Sequence, residues 1–468
     1  MKKWKGWIAF VLLALTWAAL AWLTGSRTPW TLFSPKGQEE GITVALGEMP
    51  GRNYDRMGFD GGRVLAVPGG GWIVATVNGE LISLDASGDE LWLHSVGSGE
   101  LRSAVLSRDG KIVYSGEKSP SGTLWAIRRE TGDVLWKFDG AEVIGYESDV
   151  RAEPAPISLT VDDEGNLYAA FYRFTIDDKG VRNYISRVIS FTADGNERWR
   201  FPADDNMDCW VNYVTVSSAA GRFAFATANY AKADVESLTY DRNIYVLDKN
   251  TGRLISSEAI PAAPLFATTT MRDGPNFSKD GKHMAAIASD GRAFLFDQDG
   301  HIVWQRTISR PQKIGEGWYS AAGRDGFVAA GGVIFTTINT FNRENWQMPS
   351  PVIHPSSNSL FKFDMDGNFL WKYSAPAEIE GIGIAHDIAV IAIGRNVRNH
   401  DYAAHGAAAV SLADGRVLSE YHTKGPVQAV AISDDGKHMA AIEVTAVTPE
   451  GNLLGSYQLH IWDTVKKG

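Results

Sequence analysis

Along most of the chain, short apolar runs alternate with tight polar turns. Seven times such a run ends in a turn whose glycine is followed by a second run mixing apolar and charged residues, at Gly88, Gly132, Gly195, Gly252, Gly300, Gly367 and Gly415. In five of the seven a tryptophan stands four residues after the glycine: Trp92, Trp136, Trp199, Trp304 and Trp371. Ser256 and Ser419 hold that place in the other two. A second turn lies upstream in each unit, and its best copies, Ser278-Lys279-Asp280-Gly281-Lys282-His283 and Ser433-Asp434-Asp435-Gly436-Lys437-His438, are nearly identical. Weaker copies are Ser107-Arg108-Asp109-Gly110, Asp163-Glu164-Gly165-Asn166 and Arg324-Asp325-Gly326. Asp-Gly between two β-rich runs marks a hairpin, because glycine takes the positive φ the turn needs. Two hairpins per unit predict a four-stranded meander.

With strands named A to D in chain order, units begin near Arg63, Leu101, Pro156, Val211, Asp273, Trp318, Glu380 and Val427. The last unit supplies only A, B and C strands, and an open outer edge there would invite aggregation. Gly41-Ile42-Thr43-Val44-Ala45-Leu46, stranded before the first unit, is suited to be its missing D strand. The expected architecture is all-β: an eight-bladed β-propeller of four-stranded antiparallel blades over residues 41–468, closed by N-terminal strand donation, with seven blades as the competitor. At the outer strand of each blade the tryptophan ring is expected to cover the sheet of the next blade.

The N-terminus departs from this rhythm. Lys2, Lys3 and Lys5 precede an uncharged stretch from Gly6 to Thr24. At about 1.5 Å per residue a helix of that length reaches roughly 28 Å, close to the hydrocarbon thickness of a bilayer. Residues 1–25 therefore read as one transmembrane signal anchor in a bacterial-type cell membrane, with the basic side in the cytoplasm and the body outside. Ala19-Leu20-Ala21 also suits a signal peptidase, which would make the protein secreted. Residues 26–40, with Pro29, Pro35 and Gly37, read as a linker.

Among the 468 residues are 48 glycines and one cysteine, Cys209, which excludes an internal disulfide. A net charge of −10 gives a phosphate backbone little to bind, so nucleic acid is not an expected partner. Asp297-Gln298-Asp299-Gly300 and Asp364-Met365-Asp366-Gly367 look like the start of a calcium loop, but Ile308 and Ala375 stand where its twelfth, acidic ligand belongs. These segments read as turns. His400 and His405 lack a third ligand at useful spacing, so no metal site is expected there.

Ala126-Ile127-Arg128-Arg129-Glu130-Thr131-Gly132-Asp133-Val134-Leu135-Trp136 resembles the tryptophan-docking repeat of pyrroloquinoline-quinone (PQQ) propellers, with Arg128 in place of the usual aspartate. Leu247-Asp248-Lys249-Asn250-Thr251-Gly252 keeps the aspartate, threonine and glycine and lacks the tryptophan. Ile461-Trp462-Asp463 echoes the WD40 ending. The superfamily resembled includes quinoprotein dehydrogenases and cofactor-free propellers such as the outer-membrane assembly scaffold. The dehydrogenase branch implies PQQ with calcium on the propeller axis, an aspartate base and commonly a ring of two adjacent cysteines. One cysteine cannot form that ring, and no Asp, Glu and Asn set here matches the cofactor motifs residue by residue. No cofactor is therefore expected, and an axial enzyme, PQQ-dependent or carbohydrate-active, stands as the alternative.

In a propeller blade the A–B and C–D turns share one face, and the B–C and D–A connections share the other. Here only the second set is long, as in Arg173–Tyr184, Thr336–Asn358 and Gly394–Gly406. Loops of this length are more often functional than idle. They carry Trp210, Tyr213, Trp318, Tyr319, Trp346, His354, Arg395, Arg398 and His400, residue types common at interaction hot spots. The expectation is a membrane-tethered, non-catalytic binding or scaffold module for a protein or cell-envelope partner.

Overall fold

The computed structural model describes residues 41–56, 61–96, 99–146, 152–176, 178, 182–228, 240, 243–266, 269–343, 346–348, 352–395 and 401–465. These are almost wholly strand and turn, with a 3-10 turn at Tyr54–Arg56 and one α-helical turn at Ala141–Ile144. The apolar stretch Gly6 to Thr24, expected to span a membrane, lies outside the described residues. Among the described residues no helix is long and apolar enough to cross one.

The hairpin rhythm becomes a succession of antiparallel sheets. Arg63–Ala66, Trp72–Ala75, Glu80–Leu84 and Glu90–Ser95 form the first, in chain order. Glu100–Leu106, Ile112–Lys118, Thr123–Arg128 and Val134–Asp139 form the second. Later sheets have A strands Ala155–Val161, Trp210–Ser217, Asn276–Phe277, Gly317–Ala329 and Ile379–Ala385, and the sixth adds the short strands Gln312–Ile314 and Trp346–Met348 to its four. The last contains Val427–Ile432, His438–Glu443 and Gln458–Asp463, and its fourth strand is Ile42–Ala45, with Ile42 opposite Ile461 and Val44 opposite Leu459. A strands lie against one another from sheet to sheet through the fifth and sixth. In the sixth, Gly332–Arg343 also meets Ile379–Ala385, whose sheet leads to Val427–Ile432 and back to Arg63–Ala66. Four-stranded antiparallel sheets stacked around their first strands are the blades of a β-propeller.

Middle strands are unbroken apolar runs because a sheet covers each of their faces, so every residue of Trp72–Ala75 and Gly406–Ser411 is buried. D strands alternate, as half-exposed edges should: Glu90–Ser95 and Phe369–Ser374 cover only every second residue.

Just past each C–D turn the D strand skips one residue in its pairing with C, at Leu91, Leu135, Arg198, Ile255, Val303, Leu370 and Leu418. Such a bulge re-aims the residue that follows it, which here is the tryptophan or serine of the repeat. The indole N–H of Trp92 donates to the Arg129 carbonyl at 2.8 Å, Trp136 to Ala193 at 2.8 Å, Trp199 to Lys249 at 3.0 Å and Trp304 to Met365 at 3.0 Å. Each acceptor sits in the C–D turn of the following sheet. Ser419 makes the same bond to Thr464 at 2.8 Å and Ser256 makes it to Asp299, so the serines keep the link without the ring. Trp371 finds no acceptor, and Lys362 reaches the following turn in its stead, donating to the Leu412 carbonyl at 2.6 Å. The turn glycine is required twice over at Gly132: its φ is 78°, and a Cβ would stand 3.1 Å from the Trp92 ring.

Two sequence expectations need correction. Arg324-Asp325-Gly326 is not a hairpin turn: Gly317–Ala329 runs straight through it, and the A–B turn falls at Ala330 and Gly331. Arg173–Tyr184 is mostly not a loop, because Leu167–Ile176 and Arg182–Phe191 stay paired to their ends as a protruding hairpin. Asp-Gly signals positive φ but cannot by itself distinguish a turn from a bulge, and β-rich flanks extend pairing wherever partners are available.

Candidate functional site

The connections are sorted by face. No A–B or C–D connection exceeds five residues, whereas B–C connections reach fifteen (344–358) and D–A connections sixteen (260–275). A strands begin on the elaborated face, and six of them bulge near that end. Their pairing slips between Leu101 and Ser103, Pro156 and Ser158, Val211 and Val214, Gly323 and Gly326, Ile379 and Gly381, and Val427 and Ala429. Arg102, Ile157, Asn212, Tyr213, Arg324, Asp325, Glu380 and Gln428 are the residues left over. In the fifth sheet Arg272–Pro275 occupies the same place, between the Met271 bridge to Ala288 and the pair Asn276–Ala285. Every leftover position but Ile157 and the Gly274-Pro275 pair is polar, within strands otherwise largely apolar. A bulge turns side chains out of the pleat, so these slips furnish the axial end of the elaborated face with polar groups.

From the fourth sheet to the seventh these groups form a continuous arc. The Tyr213 hydroxyl donates to Asn276 Oδ1 at 2.6 Å, and Asn276 Nδ2 donates to the Asp273 carbonyl at 3.0 Å. Arg324 Nε lies 3.6 Å from Asp273 Oδ2, and its Nη1 donates to Glu380 Oε2 at 2.6 Å. Arg395 Nη2 donates to Glu378 Oε2 at 2.9 Å, and its Nε stands 3.4 Å from Glu380 Oε1. Thr336 Oγ1 donates to Asp325 Oδ2 at 2.6 Å. Burial, reinforced by Asp273, pushes the Asp325 carboxyl up to about 7. Burial likewise pushes Glu378 up to about 7, helped by Glu380. Burial alone would also raise Glu380, but Arg324 and Arg395 hold it down at about 2. Burial raises the Tyr213 phenol as well, so it stays a hydrogen-bond donor.

Of the residues expected to bind a partner, Tyr213 and Arg395 belong to this arc. Trp318, Tyr319 and His354 belong to the sixth sheet and its loop: the Tyr319 and His354 rings are 5.6 Å apart edge to face, and Lys313 lies 5.8 Å over the Trp318 ring. His354 is buried, and its ring nitrogens bond the Arg310 carbonyl at 3.1 Å and the Ser356 amide at 3.1 Å, so it pins its own loop. Burial lowers its pKa. Trp210 stacks on Tyr184 at 5.8 Å in a separate aromatic group with Tyr172 and Phe174. Arg398, His400 and the Trp346 side chain lie outside what is described. His405, considered above with His400, is fully buried and holds the Tyr54 hydroxyl at 2.7 Å. Burial pulls its pKa to about 4.

Asp273, Arg324, Asp325, Glu378 and Glu380 escaped the sequence reading. Their signal was charge just before or at the start of an A strand, at Asp273, Glu378 and Glu380, or within one, at Arg324 and Asp325, which also reads as a loop end or a turn.

A family model described as outer membrane protein assembly factor BamB matches residues 24–199. No curated protein sequence matches the chain. Among solved structures, BamB from Moraxella catarrhalis is similar at 13% identity, over 90% of this chain and 100% of that one, with a TM-score of 0.53. A quinohemoprotein alcohol dehydrogenase from Pseudomonas putida HK5 is similar at 11% identity, over 88% of this chain and 76% of that one, with a TM-score of 0.59. Another, from Comamonas testosteroni, gives 14% identity, 86% and 75% coverage and a TM-score of 0.55. The chain has the PQQ-like β-propeller fold.

Some PQQ-like propellers hold the quinone with calcium on the axis, so the axial groups here can be tested against that ligand. PQQ is a flat tricarboxylate, and a cradle for it needs cationic donors to spare and oxygens converging on the metal. In this PQQ-like propeller Arg324 and Arg395 are each shared between two carboxylates. Among the described residues no three His, Cys, Asp or Glu side chains converge as metal ligands. Cys209 is a single buried thiol. Among the described residues, the donor set of this arc does not fit the quinone and its calcium.

Proposed function

We propose that this PQQ-like propeller is a non-catalytic binding or scaffold module, held outside the cytoplasm by its N-terminal segment, that engages a protein or cell-envelope partner through its elaborated face. On this reading the ring has eight blades, the last completed by Ile42–Ala45. The observation that carries the proposal is the one-sided placement of long connections. Loops positioned on a rigid scaffold are the usual seat of recognition, and Trp318, Tyr319 and Lys313 offer aromatic and cationic groups there. The match to the BamB assembly-factor model supports a protein partner.

A second reading, an axial enzyme of the PQQ-dependent or carbohydrate-active kind, is favoured by the Asp325 and Glu378 carboxyls. Both are pushed up to about 7, where general acid–base groups work best. Against it, those carboxyls are engaged with Thr336 and Arg395.

Site-specific photo-crosslinking in intact cells tests the proposal. Photoreactive residues at Trp318 and Tyr319 on the elaborated face should capture a discrete partner, and residues at Asp109 and Lys282 in the plain A–B turns should not. Capture from Asp109 and Lys282 alone would overturn it.

A further inference from the structure

We propose that the outer edge of the donated strand Ile42–Ala45 pairs antiparallel with the same edge of a second copy of this chain, joining two propellers through one continuous sheet. This edge lies wholly within the described residues. Its hydrogen-bonding direction follows from the Leu46 amide, which donates to the Tyr457 carbonyl at 3.0 Å. Val44 opposite Leu459 and Ile42 opposite Ile461 are in the same phase as that pair. Antiparallel pairs alternate, so Thr43 and Ala45, opposite His460 and Gln458, direct their amides and carbonyls away from Gln458–Asp463 and toward the open side. The Thr43 hydroxyl comes within 3.3 Å of the His460 ring, as the closer side chains of a non-hydrogen-bonded pair allow. Among the described residues no strand lies beyond Ile42–Ala45.

A propeller exposes the outer edge of every blade, and here the other seven are guarded by charge. Each of those outer strands carries at least one charged residue, Glu90 in the first sheet and Lys372 in the sixth among them. Charge on an edge discourages pairing with another chain. Ile42-Thr43-Val44-Ala45-Leu46 carries none, although Thr43 and Ala45 are exposed and Ile42 is 39% exposed.

Two features select a second copy as the occupant. The first is that the segment is symmetric in pattern about Val44, with apolar residues at 42, 44 and 46 and small ones at 43 and 45. A two-fold axis at Val44 sets Thr43 opposite Ala45 of the second copy, and both residues have their main-chain groups pointing outward. That pair and its symmetry mate each exchange two hydrogen bonds, while Val44 faces Val44 of the second copy in the non-hydrogen-bonded pair between them. Paired side chains are then apolar with apolar or threonine with alanine, and no charge is buried.

The second feature is apolar surface beside the edge. The first sheet packs against the Ile42 and Val44 side of the strand, where a Cβ on Gly88 would stand 2.8 Å from the Ile42 side chain. Leu93 of that sheet lies opposite Ile82, which packs with Leu459 and Ile461. Leu91 and Leu93 are 60% and 45% exposed, so a second copy on the edge meets apolar surface next to it. A five-residue edge with two flanking leucines falls short of the roughly 800 Å2 per partner of a standard interface, so the dimer dissociates on dilution. The contact uses the rim and stands apart from the partner binding proposed for the elaborated face.

The test is sedimentation velocity of the full chain in detergent across a dilution series, combined with disulfide trapping. The wild type should show a concentration-dependent dimer. Ala45→Lys, which places a charge on the seam at an exposed position, should weaken self-association about tenfold or more and leave the melting temperature unchanged. Val44→Cys should form a disulfide-linked dimer on mild oxidation, because the Cα atoms of a non-hydrogen-bonded pair lie about 4.5 Å apart, within disulfide reach. Leu135→Cys, exposed on the outer strand of the second sheet, should not, and the native Cys209 is buried. A chain that stays monomeric throughout, a dimer that Ala45→Lys leaves intact, or Val44→Cys that links no faster than Leu135→Cys would overturn the proposal.

Discussion

At the scale of single residues, the repeat tryptophans are not equivalent. Trp92, Trp136, Trp199 and Trp304 combine ring packing with a hydrogen bond to the next C–D turn, whereas Trp371 has packing alone and leaves the turn to Lys362. Trp136→Phe and Trp199→Phe should therefore each cost about 1 kcal/mol more than Trp371→Phe, the usual worth of one buried hydrogen bond, as read by chemical denaturation. Lys362 sits buried with only backbone carbonyls as partners, and burial lowers its pKa. Lys362→Met should leave two carbonyls unmet and destabilise by about 1 to 3 kcal/mol. The tryptophans were legible in sequence because glycine and tryptophan keep a fixed spacing across a turn. The bonds of Ser256 and Ser419 were not, since a serine after a turn has many possible partners and only the neighbouring sheet selects one.

At the scale of elements, the ring depends on a strand from the far end of the chain. Ile42–Ala45 pairs with Gln458–Asp463. The segment after it continues across the elaborated face, with Leu46 and Tyr54 buried, Arg52 bound to Glu100 at 2.8 Å and Tyr54 bound to His405 at 2.7 Å. Deleting residues 42–45 should expose the edge of Gln458–Asp463, lower the melting temperature by roughly 10 °C or more and promote aggregation visible by light scattering. The strand was legible because an alternating apolar segment stood unpaired before the first unit while the last unit lacked one. The bulges were not: a pleat that slips by one residue leaves only a misplaced polar side chain in the sequence, which at Arg324-Asp325-Gly326 mimics a turn. The elongated hairpin at Leu167–Ile176 and Arg182–Phe191 was hidden for a related reason, since pairing past the body of a sheet depends on what the neighbouring sheets leave open.

At the scale of the whole molecule, two faces and an axis divide the work. One face is limited to turns of five residues or fewer, and the other collects every long connection and the charged arc of the A-strand bulges. The asymmetry was legible from run lengths alone, because strand direction fixes which connection lies on which face. The mutual neutralisation of Arg324, Glu380, Arg395 and Glu378 was not, since those residues converge only when the ring closes. On the proposed reading, that neutralisation is what disfavours an axial quinone enzyme, because it engages both guanidiniums with carboxylates. The most direct measurement is a titration of the purified protein with PQQ and calcium, followed by absorbance and dye-linked oxidation of alcohols and sugars. The account predicts neither a saturable spectral change nor turnover, with Arg324→Ala and Arg395→Ala behaving the same way; stoichiometric quinone binding with calcium-dependent turnover would contradict it.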